Sequence, residues 1–253
     1  MNTVLRTNVG LIRTVNEDRA AIRSDLSGVT ISLLADGMGG HQAGEVASQT
    51  AIDVLTRELS GIHAELPELE LQAIIAHAFE QANAEIYRQA VSNSQMSGMG
   101  TTIVAAISDA IRLTIAHIGD SRAYLYRKGK LQQLTEDHSL VNELLKSGQI
   151  TEQEASSHPR RNVLTRALGT DSVVTADIKH LEWAPGDLLL LCSDGLTNLV
   201  KEQVIIHTLR GSKTLEWKAD RLIELALAGG GDDNVTVVLV AHEQLPRQRG
   251  DSK

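Results

Sequence analysis

Apolar runs and the polar residues that stop them divide the 253-residue chain into strand-length and helix-length pieces. Residues 4–8, 20–23 and 29–35 read as strands, the last being the most apolar. Val46, Ala47, Ala51, Val54, Leu55 and Leu59 then recur at three- and four-residue spacing and predict a helix over 44–59. Leu71, Ile74, Ile75, Ala78, Phe79, Ala82 and Ile86 predict a second helix over 68–90 by the same period. A meander of strands follows at 101–107, 111–118, 122–127 and 130–134, and its short connections, Lys128-Gly129 among them, favour antiparallel pairing. Residues 139–159 turn helical and polar, with Thr151 and Glu154 spaced as a capping box. With no continuous apolar face, this segment reads as a mobile surface flap within about 139–170. Strands return at 175–181, 188–192 and 235–240, and a helix over 215–228 is closed by three glycines at 229–231.

Strands and helices in blocks predict α+β layers rather than a doubly wound parallel sheet. With no repeat or linker, one domain is expected over residues 1–242, followed by a short, disordered polar tail at 243–253. Aromatic residues are few, Phe79, Trp183, Trp217, Tyr87, Tyr124 and Tyr126, so the core is aliphatic and stacked bases have no platform. Net charge is −8 without a Lys/Arg cluster, which argues against a nucleic-acid partner. Cys192 is the only cysteine, set in an apolar run as a small buried hydrophobe, and rules out an internal disulfide or thiolate zinc site. No apolar stretch approaches the ~20 residues of a membrane span. The first residues lack a charged region followed by an apolar one, so a cytoplasmic location is expected.

Four apolar runs meet an aspartate at one end: 31–35 runs into Asp36, 113–118 towards Asp120, 188–192 towards Asp194, and Asp233 leads into 235–240. A carboxylate beside a buried strand is costly to desolvate unless it is paired or bound to a metal. Asp36, Asp194 and Asp233 with the Gly37 carbonyl form an all-oxygen set that suits Mn²⁺ or Mg²⁺ better than Zn²⁺. Two such ions ~3.5–4 Å apart clamp phosphoryl oxygens and activate water. Each Asp-Gly taken alone is equally a turn. Other phosphate chemistries fit less well: Asn198 stands where a Cys192-based phosphatase needs arginine, and Met38 where an aspartyl-phosphate hydrolase needs aspartate. Nucleotide-binding glycine loops are absent from the sequence.

Six motifs in order then carry a resemblance. Arg13-Thr14-Val15-Asn16-Glu17-Asp18, Ala35-Asp36-Gly37-Met38-Gly39-Gly40-His41, Gly98-Met99-Gly100-Thr101-Thr102, Gly119-Asp120-Ser121-Arg122, Cys192-Ser193-Asp194-Gly195-Leu196 and Gly231-Asp232-Asp233-Asn234-Val235-Thr236 resemble the series of bacterial PPM/PP2C-type Ser/Thr protein phosphatases. The resemblance covers roughly residues 3–241. It implies an αββα sandwich of two antiparallel sheets with metals at one edge, hydrolysing phosphoserine and phosphothreonine by in-line attack of a metal-bridging hydroxide. Asp36 would bridge two Mn²⁺ or Mg²⁺ ions, Asp194 and Asp233 would complete the first, and the Gly37 carbonyl would help hold the second. Glu17 and Asp18 would act through metal-bound water, Asp120 with Asp194 would hold a third ion, and Arg13 would bind phosphate. His41 is the candidate general acid, worth typically ~10²–10⁴-fold, or else a cap on the following helix. The remaining histidines read as surface residues, with His158 and the Arg160-Arg161 pair in the flap as candidate substrate contacts. Residues 135–144 resemble the subgroup that opposes PASTA-type Ser/Thr kinases, which implies phosphoprotein substrates and a monomer. The resemblance also admits a phosphatase of an anti-anti-sigma factor, or a catalytically dead phosphoprotein-binding module.

Overall fold

Every position of Leu188–Cys192 is buried, which a strand achieves only with packing on both of its faces. In the computed structural model, which describes residues 1–39, 42–156 and 158–242, this strand lies inside a stack of two sheets between two helical layers. In chain order the strands are β1 (Asn2–Asn8), β2 (Asp18–Leu26), β3 (Val29–Met38), β4 (Gly100–Thr101), β5 (Ile103–Ser108) and β6 (Arg112–Ile118). They continue with β7 (Arg122–Arg127), β8 (Lys130–Gln133), β9 (Asp177–Glu182), β10 (Leu188–Cys192) and β11 (Val235–Ala241). The helices are α1 (Ala43–Glu58), α2 (Glu68–Ser92), α3 (Leu140–Lys146), α4 (Glu152–Ser156), α5 (Asp194–Thr197), α6 (Glu202–Leu209) and α7 (Leu215–Ala228).

One sheet runs β1-β11-β10-β7-β8 and the other β2-β3-β5-β6-β9, with β4 pairing the end of β3; all pairings are antiparallel. The two-residue period of a strand sorts side chains into three cores. Leu34, Val104, Leu189, Leu191, Val238 and Val240 pack between the sheets. Ile31, Leu33 and Ala35 face α1 and α2, while Leu190, Cys192, Val237 and Leu239 face α6 and α7. The αββα architecture implied by the motifs is therefore present, and Cys192 is the buried hydrophobe expected. The Lys128–Gly129 hairpin turns with positive φ at both residues, the geometry a two-residue type I′ connection requires.

Two expectations need correction, and one element is new. Strand β3 does not stop before Asp36 but continues to Met38, because Gly37 and Met38 pair with Thr101 and Gly100. Asp194 does not end a strand; it opens α5, whose backbone turns directly away from β10. Helix α6 was not foreseen, since its adjacent Val204, Ile205 and Ile206 carry a strand-like run while only Ile205, Thr208 and Leu209 are buried. The flap holds α3 and α4, with Thr151 and Glu154 exchanging the reciprocal bonds of a capping box. Helix α3 buries none of its residues, and the flap's two ends are tied by a Ser139–Leu164 bridge and by Leu140 N–H donating to the Val163 carbonyl. The predicted tail lies outside the described residues.

Candidate metal centre

The two sheets each deliver acids to one edge. From one sheet come Asp18, first residue of β2, and Asp36 of β3, directly opposite in register. From the other come Asp194, just after β10, and Asp233, just before its neighbour β11. Asp120 enters from the β6–β7 turn. Together Arg13, Glu17, Asp36, Gly37, Asp120, Asp194 and Asp233 line a cavity of about 210 Å³, with Asn162 and Leu164 of the flap segment also in its lining. Asp18 lies beneath, buried, and accepts a 2.8 Å bond from Ser193 Oγ. His41, the remaining candidate, lies outside the described residues.

Local structure holds this arrangement rigidly. Asn234 Nδ2 donates to the Val9 and Val15 carbonyls, while its Oδ1 accepts from Glu17 N–H at 2.8 Å, so one side chain pins the 9–17 loop that carries Arg13 and Glu17. A Cβ at Gly37 would collide with the Gly44 carbonyl, and one at Gly195 with the Asn234 carbonyl; both glycines are where backbone meets backbone. Thr102 Oγ1 accepts from Asp36 N–H at 3.1 Å and shares a 2.8 Å bond with Ser121, joining the central strand to the Asp120 turn.

The electrostatics are those of acids forced together. Burial first, and then Asp18, Asp194, Asp120 and Asp233, push the Asp36 carboxyl well above its usual range. Burial and the neighbouring acids carry Asp18 and Asp120 to about 7. Asp194 and Glu17 are raised for the same reasons, with Arg13 partly offsetting the effect at Glu17. Asp18 Oδ1 and Glu17 Oε1 are buried without a hydrogen-bond partner. An all-oxygen donor set with mutual repulsion and unpartnered oxygens fits hard divalent cations, whose charge reverses the local pKa logic. Arg13 Nη2 meanwhile donates to Asp233 Oδ2 at 2.9 Å, half-exposed at the rim.

Sequence reading placed the histidines on the surface, whereas His117 and His138 are buried and stacked with centroids 4.6 Å apart. With Asp177 they gather ligand-type atoms within 4.8 Å. Tautomer bookkeeping argues against a metal there. Gly119 N–H donates to His138 Nδ1 at 3.0 Å, so the neutral ring carries its proton on Nε2, facing Asp177 Oδ2 at 3.3 Å. Burial lowers the His138 pKa to about 4, keeping that ring neutral. Its backbone also bonds Gly119 and Thr165, so His138 fastens the flap base to the Asp120 turn. Neither this role nor that of Thr102 or Asn234 has a local signature, although all but His117 and Asp177 lie in segments the motifs had singled out.

The protein phosphatase 2C family profile matches residues 13–220. The chain is 43% identical over 249 residues to the serine/threonine phosphatase stp of Listeria monocytogenes, covering 98% of this chain and 99% of that protein. Its fold is similar to that of the S. agalactiae serine/threonine phosphatase, with a TM-score of 0.90 and 39% identity over 96% of this chain and 99% of the other. The catalytic domain of the phosphatase PstP in complex with two manganese ions is similar at a TM-score of 0.81 and 39% identity, over 94% of this chain and 96% of that domain.

Proposed function

The chain belongs to the protein phosphatase 2C family, and on that premise we propose that it is a metal-dependent phosphatase of phosphoserine and phosphothreonine in proteins. The observation that carries this reading is the convergence of acids from both sheets on one cavity that also holds an arginine. Bound Mn²⁺ or Mg²⁺ supplies Lewis acidity, lowering the pKa of water and neutralising phosphoryl oxygens. We assign Asp36, the Gly37 carbonyl, Asp194 and Asp233 to two core ions, and Asp120 with Asp194 to a third. Glu17 and Asp18 are assigned to the surrounding water shell. Arg13 has a planar fork able to take two phosphoryl oxygens at once, and its place at the cavity rim suits orienting the phosphate. His41 is the side chain the sequence offers as proton donor to the leaving oxygen.

The proposal extends to a cytoplasmic monomer with one catalytic domain over residues 1–242, acting on the phosphoproteins of a PASTA-type kinase. Supporting it are the run from Thr135 to Leu144 at the flap base and a net charge of −8, which disfavours self-association. Among the described residues no helix is long and apolar enough to cross a membrane. The decisive experiment is phosphate release from a phosphothreonine peptide with Mn²⁺ and then with excess EDTA. Release that requires Mn²⁺ is expected; none from folded, Mn²⁺-loaded protein would overturn the reading.

A further inference from the structure

On the outer face of α6 and α7 lies a second concentration of charge, opposite in sign to the acid cluster. His207, Arg210, Lys213, Trp217, Arg221 and Glu224 line a groove of about 700 Å³. On a chain of net charge −8, this lining holds three permanent cations against one carboxylate. Thr214 caps α7 by accepting from Trp217 N–H, and positions 217, 221 and 224 follow along one helix face. Ala219, Leu222, Ile223 and Ala226 form the opposite, buried face. Trp217 is 43% exposed, whereas the only other tryptophan, Trp183, is 3% exposed. Lys213 Nζ sits 5.4 Å from the Trp217 ring centroid.

Arg210 is the C-cap of α6, where the helix dipole favours positive charge, but the helices do not account for Lys213. Lys213 precedes the N-terminus of α7, where the helix dipole disfavours positive charge. Arg221 is engaged by Glu224 at 3.0 Å and the nearby Lys218 by the Gly211 carbonyl at 3.1 Å. Among the described residues, Arg210 and Lys213 have no carboxylate partner. An exposed indole flanked by unneutralised cations is therefore a surface with its counter-charge missing.

We propose that this groove docks an acidic peptide segment of a partner protein, with carboxylates on Arg210 and Lys213 and an apolar side chain against Trp217. A nucleic acid or anionic membrane fits less well. Either would extend its charge beyond the groove onto an acidic protein, and one indole is no stacking platform. Helix α7 spans roughly 20 Å from its rise per residue, with Trp217 near its start. Its far end leads through Gly229–Gly231 to Asp233. A segment in the groove thus leaves the Arg13 cavity open, and a partner engaging both sites gains effective concentration.

Docking is read without turnover, so it stands or falls apart from the phosphatase reading. A fluorescein-labelled Glu/Asp-rich peptide carrying one phenylalanine is titrated by anisotropy, and its unlabelled form by tryptophan emission. Saturable binding is expected, weakened at least about tenfold (about 1.4 kcal/mol) by Arg210→Glu with Lys213→Glu. The emission change is expected to vanish in Trp217→Phe, and phosphate release from a short phosphothreonine peptide to stay unchanged in the charge-reversed variant. Binding that the double variant does not weaken would overturn the proposal. So would preferential binding of an oligothymidylate or of phosphatidylglycerol vesicles.

Discussion

Asp18 and Asp36 face each other in register across β2 and β3, two acids on one face of an antiparallel ladder. Like charges so placed are destabilising, and here burial adds to the repulsion at both residues. Either a bound proton or a bound cation offsets it, and a divalent cation does so without neutralising the carboxylates themselves. Asp36→Asn should therefore separate stability from activity. Mn²⁺-dependent phosphate release should fall by more than about 10²-fold, since even residues that merely support metal ligands cost ~10–100-fold. The metal-free variant should melt higher than wild type by roughly 2–4 °C, the equivalent of about 1 kcal/mol in a domain of this size. Calorimetry beside a release assay checks both; a folded variant with retained turnover would remove Asp36 from the metal assignment.

The same repulsion sets a pH dependence. Asp18 and Asp120 have folded pKa values of about 7 against an ordinary 3.8, so between those values the metal-free folded state binds protons that the unfolded chain has released. Stability then falls as pH rises through that window and levels off above it. The melting temperature of EDTA-treated protein should be higher at pH 5 than at pH 8. Mn²⁺ binds the deprotonated acids, so its stabilising increment should be larger at pH 8. A metal-free melting temperature that climbs from pH 5 to 8 would contradict the picture.

How much of this was legible in the chain depended on the range of the contacts involved. Asp36, Asp194 and Asp233 announced themselves because each interrupts an apolar run, a local signal that survives without knowledge of partners. The extension of β3 to Met38 did not, because its cause is Gly100–Thr101, more than sixty residues away. His117 was read as a surface residue with the other histidines, although it lies within the 111–118 strand. In fact both faces of β6 are covered, and its Nε2 bonds the Glu136 backbone. Helix α6 was masked by three consecutive β-branched residues, of which only Ile205 is buried, in the core it shares with α7. Patterning thus pointed to Asp36, Asp120, Asp194 and Asp233, the motif resemblance added Glu17 and Asp18, and long-range pairing explains how they are held.

Thr102 tests that holding. Its hydroxyl bonds both Asp36 N–H and Ser121 inside the protein. Thr102→Val keeps the shape but leaves those partners unsatisfied, a cost of about 1–3 kcal/mol. A melting temperature several degrees lower is expected. Because Ser121 follows Asp120, the half-saturating Mn²⁺ concentration for turnover should also rise, by about tenfold. Thr102→Ser retains the hydroxyl and should restore most of both quantities; a serine variant as impaired as valine would mean that the methyl group, not the bond, matters.

Arg13 poses a sharper question, because its 2.9 Å bond to Asp233 places one cation between two roles. If it orients phosphate, Arg13→Ala should raise KM for a phosphothreonine peptide and lower kcat/KM by about 10²-fold, the scale of losing a charge-assisted pair. Arg13→Lys should fall between, since it keeps the charge without the bidentate fork. Metal affinity should move the other way. Removing a positive charge from beside Asp233 and Glu17 lessens repulsion toward an incoming divalent ion, so half-saturating Mn²⁺ should decrease. Steady-state kinetics with varied peptide and varied Mn²⁺ read both effects in one preparation. Opposite signs identify a phosphate ligand that competes with metal for Asp233, whereas losses of both affinities would reduce Arg13 to a fastener of the 9–17 loop.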